Sequence, residues 1–350
     1  MVKFITPDVL QRLGYSRVCE ITEEEIWEHL VTPMTKGLLG KILRKDPPKL
    51  METVAGKFPG DEVTNLNSHL LYGGQNGFVR YPYLHTFWKT RHGAVVIKRD
   101  RLKFEVLCWY GDVEKNRAEL IYKAGLRDRR FDGTPQANDC ALLDFPYDDP
   151  VLNRRIAPDD LKSLELSVYG FMPGSKISEG DGDVEFERFV QQPFQFLEQP
   201  EKFLELFKRA WNGRRAPGQY AKPIEDISED VLPAFEMLAQ KYGFDMIEAA
   251  PSHYHVARWV LSNGYLFSTP EDKATFNGFT EGLERIRASG TPLTRQQQSW
   301  VCVVQSLKPA DSIPQELQLQ GLVWPQDNLS KRCLWMYKPI SEAAKALKLS

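Results

Sequence analysis

Residues 231–268 alternate helical and strand periodicity so closely that they restrict the chain to folds in which helices pack on a sheet. Pro233 suits a first helical turn, where a missing N–H costs nothing. Phe235, Leu238, Ala239 and Tyr242 then fall on one helical face. Gly243 stands where the helix must end, because glycine takes the left-handed conformation beyond a last turn at little cost. Phe244 to Ala249 is an apolar run of strand length. Pro251 and Ser252 open a second helix carrying Val256, Trp259 and Val260. Asn263-Gly264 closes that helix, and Tyr265-Leu266-Phe267 reads as the next strand.

The rest of the chain supplies partners for this stretch. Residues 1–60 read as helical: Thr6-Pro7-Asp8 is a helix start, and Thr22 with Glu25 is a capping box ahead of Ile26 and Leu30. A third helix spans 34–44 and stops at Pro47-Pro48. Residues 93–123 read as antiparallel sheet, with Arg99-Asp100-Arg101 as the tip of a hairpin. Further strands fit 140–145 and 164–172. The glycine- and aspartate-rich loop 173–183 is a boundary, dividing a region 1–172 from a region 184–350. The fold class expected is α+β: a helical N-terminal cap, a mainly antiparallel sheet and a C-terminal α/β unit.

Composition narrows the setting. With 350 residues and 42% hydrophobic content, the chain can bury one large or two modest cores. A formal net charge of -2 provides no global field for nucleic acid. Cys19, Cys108, Cys140, Cys302 and Cys333 lack the spacing of a zinc knuckle. No run approaches the roughly 20 apolar residues of a membrane span. A cytoplasmic protein without a membrane partner is the expectation.

The order helix, Gly-Phe, strand, short helix, Asn-Gly-Tyr, strand resembles the C-terminal half of the GCN5-related N-acetyltransferase family. Cys333-Leu334-Trp335-Met336-Tyr337-Lys338 is similar to a late strand of that family. The resemblance implies an acyltransferase, or a degenerate or repurposed version of one. His253, Tyr254 and Tyr265 would line its site, with a tyrosine as proton donor and acetyl-CoA as cofactor. The family holds the coenzyme pyrophosphate on backbone N–H groups of a glycine-bearing turn that opens the first helix. Here Pro223 to Asp230 stands in that place, without glycine and with four carboxylates. The nearest glycine-bearing segment runs from Arg215 to Tyr220, which makes Arg215 and Gly218 the cofactor-binding candidates.

His253 and His255 also read as two polar, partly buried residues at a helix start, and two other functional readings stand beside the first. His253 and His255, two positions apart, would share a face of a strand and hold one divalent metal ion, whereas a helix would send them apart. A nucleic-acid partner would use the glycine- and aromatic-rich segment Gly73 to Trp88 with Arg80. It would also use a basic strip of Lys98, Arg99, Arg101, Lys103, Arg127, Arg129 and Arg130, interrupted by Asp100 and Asp128. The remaining class is a non-enzymatic module for a protein partner.

Overall fold

The structure is a computed structural model that describes residues 16–32, 50–55, 84–90, 93–99, 102–112, 117–131, 157–158, 160–170, 183–213, 215–218, 227–325 and 333–347. The expected helices at 6–8 and 34–44 and the strand at 140–145 lie outside the described residues. The chain forms two compact units. The first comprises Met1–Pro173, Ile224–Glu248 and Pro339–Ala346, and the second Gly174–Pro223, Ala249–Lys338 and Leu347–Ser350. This corrects the division into 1–172 and 184–350, because 224–248 and 339–346 return to the first unit.

The first unit opens with α1 (Glu23–Ile26), which Thr22 and Glu25 cap reciprocally as the sequence predicts. The strands are β1 (Leu50–Ala55), β2 (Leu84–Thr90), β3 (Gly93–Arg99), β4 (Lys103–Asp112), β5 (Arg117–Asp128), β6 (Ser163–Gly170) and β7 (Met246–Ala249). They lie side by side in sequence order. Each pair is antiparallel except β6 with β7, which is parallel. The α+β class is therefore the observed one, with a mixed and mostly antiparallel sheet. A parallel neighbour has to be reached by a crossover. The segment between β6 and β7 includes the helices α2 (Val184–Gln191), α3 (Pro200–Asn212) and α4 (Ile227–Lys241).

Helix α4 starts earlier than the sequence suggests, and Pro233 lies inside it. Proline is a start signal only while nothing upstream is helical. Here Val231 and Leu232 are buried, so the apolar face carries the helix through the proline. Gly243, at φ 68°, ends α4 as expected. The helix packs against the Trp27–Val31 turn that follows α1. Tyr242 donates from its hydroxyl to Glu25 Oε2 at 2.6 Å, and Lys241 also binds Glu25. Burial opposes ionisation of Glu25, but bonds from Lys241, the Thr22 N–H and Tyr242 outweigh it and hold the carboxyl down at about 2. Asp245 O accepts from the Ile340 and Ser341 N–H groups, which ties the end of the chain to the start of β7.

The two faces of this sheet differ in chemistry. Ile97, Phe104, Val106, Leu126, Leu164 and Ile247 are buried apolar residues. The alternating positions carry charge instead. Cross-strand register sets Lys98 opposite Glu105, Lys103 opposite Arg127, Arg127 opposite Glu165, and Glu165 opposite Glu248.

The second unit is mainly helical. It holds α2 and α3, then α5 (Tyr254–Ser262), β8 (Leu266–Phe267), α6 (Pro270–Ala288), α7 (Arg295–Val304) and β9 (Met336–Pro339), whose last residue belongs to the first unit. The chain then continues to α8 (Glu342–Ala346) of the first unit. In the second unit β8 and β9 pair antiparallel. Its aromatic centre is Phe189, stacked on Trp300 at 5.2 Å and met edge-on by Phe196 and Phe203. No helix of the described residues is long and apolar enough to cross a membrane.

Candidate functional site

The histidine pair sits where α5 begins. His253 is the residue before the helix, with extended backbone at φ −141°, ψ 156°. His255 lies inside the first turn. Because the conformation changes between them, neither simple expectation holds: the rings stack on one another, 5.9 Å apart and 9° from parallel.

His255 is tied to α7. Its backbone N–H donates to Ser299 Oγ at 3.0 Å, and its Nδ1 lies 2.9 Å from the same oxygen. Burial, with the charge of Arg295, holds the imidazole down at about 4. The ring is therefore neutral at pH 7. Ser299 Oγ meets both the backbone N–H and the Nδ1 of His255. Ser299 is fully buried. The sequence reading missed it, although it precedes Trp300 in the chain and an in-facing serine on a helix needs a partner.

His253 is more enclosed. It is 5% exposed, and burial with the neighbouring His255 pulls it down to about 3. Phe194 stacks on it at 5.8 Å. Gly218, at φ 72°, presses on the ring so closely that a Cβ there would fall 2.6 Å from Nε2. The Gly218 N–H donates to Val190 O at 2.7 Å, which fixes this contact. Among the described residues His253 Nδ1 has no hydrogen-bond partner.

The structure thus brings together two candidate sets that the sequence held apart, the histidines and the Arg215–Gly218 segment. It does not leave Arg215 available to a pyrophosphate. Both guanidinium Nη atoms bind the Glu187 carboxylate, Nη2 at 2.7 Å, and the guanidinium lies 5.8 Å from the Phe186 ring. The Trp300 indole N–H donates to the Arg215 carbonyl. The tyrosines are equally committed. Tyr254 is 3% exposed, shares a hydrogen bond with Thr280 Oγ1 at 3.0 Å and stacks on Phe276, and burial raises its hydroxyl above the usual range. Tyr265 is 2% exposed.

As a metal centre the pair is incomplete. Among the described residues no three His, Cys, Asp or Glu side chains gather where they could hold an ion, whereas protein metal sites use three or more such ligands. The Ser299 hydroxyl already occupies His255 Nδ1.

The basic strip is corrected at four of its residues. Lys98, Lys103, Arg127 and Arg129 are buried. Lys103 and Lys123 meet Glu105 at 2.7 and 2.9 Å, Arg127 meets Glu165, and Arg129 meets Glu248 at 2.8 Å. Arg99 pairs with Glu23 and Arg130 with Asp128. Lys98, Lys103, Arg127 and Arg129 lie in the unit's interior, not along a surface where phosphates could reach them, and Arg99 and Arg130 are half-buried. Arg80 and Arg101 lie outside the described residues. No family model matches the chain, and no curated protein or solved structure matches it.

Proposed function

We propose that this chain is a binding protein built on an acetyltransferase-like unit that has been repurposed away from acyl transfer. Support for the acetyltransferase-like part is the element order. Antiparallel strands lead through α4 into β7, which pairs in parallel with β6, and α5 and the antiparallel β8–β9 pair follow. The repurposing rests on one observation above all: His253, Tyr254 and Tyr265 are 5, 3 and 2% exposed. A proton donor or base must come within about 3 Å of the group it serves. His253 spends its surface on Phe194 and Gly218, and Tyr254 on Thr280 and Phe276, instead. The acidic run from Glu225 to Asp230, where the family places its pyrophosphate turn, argues in the same direction.

The test is calorimetric titration of the full-length chain with acetyl-CoA, followed by incubation with labelled acetyl-CoA and a mixture of amines. The expected outcome is no saturable heat and no label transferred. Saturable acetyl-CoA binding that disappears in His253→Ala, with transfer of label, would overturn the reading.

A further inference from the structure

If the chain works by binding, the second unit has a place built for it. An open groove of about 460 Å³ runs between the C-terminal half of α6 and residues 315–320, within the size range of ligand sites. Arg285, Ile286, Gln315, Gln318, Leu319 and Gln320 line it.

The far wall is held in place by unusual means. Gly278 and Gly282 lie one turn apart on α6, in a helix that glycine weakens. A Cβ at Gly282 would sit 2.7 Å from Leu319 Cδ2, and one at Gly278 would sit 3.1 Å from Leu322 Cδ2. Glycine at both positions lets the 319–322 segment lie against the helix. The buried Gln305 then pins the same segment. Its Nε2 donates to Leu317 O at 2.9 Å and to Val301 O at 2.7 Å, and its Oε1 accepts the Leu319 N–H at 2.8 Å. Gln318 Nε2 donates to Ile313 O at 3.1 Å. A wall fixed in this way has little left to order when something docks, which favours binding.

The lining indicates the chemistry of the occupant. Among the described residues Arg285 is the one ionised side chain in it, is exposed, and forms no ion pair or side-chain hydrogen bond. Gln315 and Gln320 are exposed, and their amides can each donate and accept. Ile286 and Leu319 are buried and apolar. A guanidinium, amides of both polarities and an apolar floor complement a carboxylate, a peptide backbone and an aliphatic side chain. A nucleic-acid strand would call for several cations and for rings to stack on, and among the described residues this lining has one cation and no aromatic residue.

We propose that this groove docks a short, extended acidic segment of a protein partner, with Arg285 receiving its carboxylate. The proposal rests on the binding-protein reading above and adds its surface and its partner.

The experiment pans a random-peptide display library against the immobilised full-length chain. The enriched peptides are then measured by fluorescence polarisation against the wild type, Arg285→Glu and Lys273→Glu. Lys273 is an exposed residue near the start of α6 and outside the groove, so its reversal changes net charge equally. The expected result is enrichment of Asp- or Glu-containing peptides, with affinity reduced roughly tenfold or more by Arg285→Glu, unchanged by Lys273→Glu, and weakened by salt. Thermal melting of both variants, which alter only exposed side chains, checks that the fold is intact. No enrichment, enrichment without acidic residues, or equal binding to both variants would overturn the proposal. So would single-stranded RNA binding that Arg285→Glu abolishes. Acetyl-CoA binding in the calorimeter would remove the repurposed-transferase reading and leave this peptide test unaffected.

Discussion

The behaviour of His253 follows from enclosure, not from its sequence neighbours. An imidazole flanked by Phe194, His255 and Gly218 sheds its proton because nothing nearby stabilises the charge. The linkage has a definite sign. Both histidines are held below 6.5 in the folded chain, at about 3 and about 4. Below 6.5 the unfolded chain takes up protons that the folded chain refuses. Stability is therefore full above about 6.5 and declines as pH falls toward about 4, by up to roughly 1.4 kcal/mol per histidine per pH unit. Urea midpoints measured from pH 7 to pH 4.5 should show this decline, with a shallower slope in His253→Leu. An unchanged slope in that variant would mean that His253 is not enclosed. Partly buried histidines at a helix start were legible, and that is where the pair sits; the depth of the enclosure was not, because the residues that seal His253 come from 194 and 218.

At the scale of elements, what is local could be read and what depends on register could not. The Thr22–Glu25 capping box needs only neighbours three residues apart, and it forms as expected. The end of α4 at Gly243 is local in the same way. Lys98, Lys103 and Arg127 misled because a lysine or arginine in a strand reads as solvent-facing. Glu105 and Glu165 reach Lys98 and Arg127 from neighbouring strands, while Lys103 meets Glu105 two residues along its own strand. The same dependence gives a prediction. Arg129 and Glu248 are fully buried and pair at 2.8 Å. Glu248→Gln removes the negative partner and leaves the cation in place, so it should cost about 3 kcal/mol of unfolding free energy. Guanidinium denaturation measures this directly, and a cost near zero would contradict the pairing. Substituting both residues by apolar ones of similar volume should cost less, because no unbalanced charge then stays behind.

For the whole molecule, periodicity gave the α+β class but misplaced the units. Residues 224–248 and 339–346 read as part of a continuous C-terminal region, yet they belong to the first unit. The causes are pairings across long stretches of chain: β7 with β6, Tyr242 with Glu25, and Ile340 with Asp245. The 231–268 stretch is divided by the same boundary, with α4 and most of β7 in the first unit and α5 and β8 in the second. Its candidate catalytic groups all face inward. That enclosure is the central claim, and it can be measured without knowing any ligand. The native chain would be treated with diethyl pyrocarbonate, which modifies accessible neutral imidazoles, and the labelled sites located by mass spectrometry. The account predicts that His253 stays unmodified while the fold is intact and reacts once the chain is unfolded. Modification of His253 in the native protein at the rate of a free imidazole would contradict it.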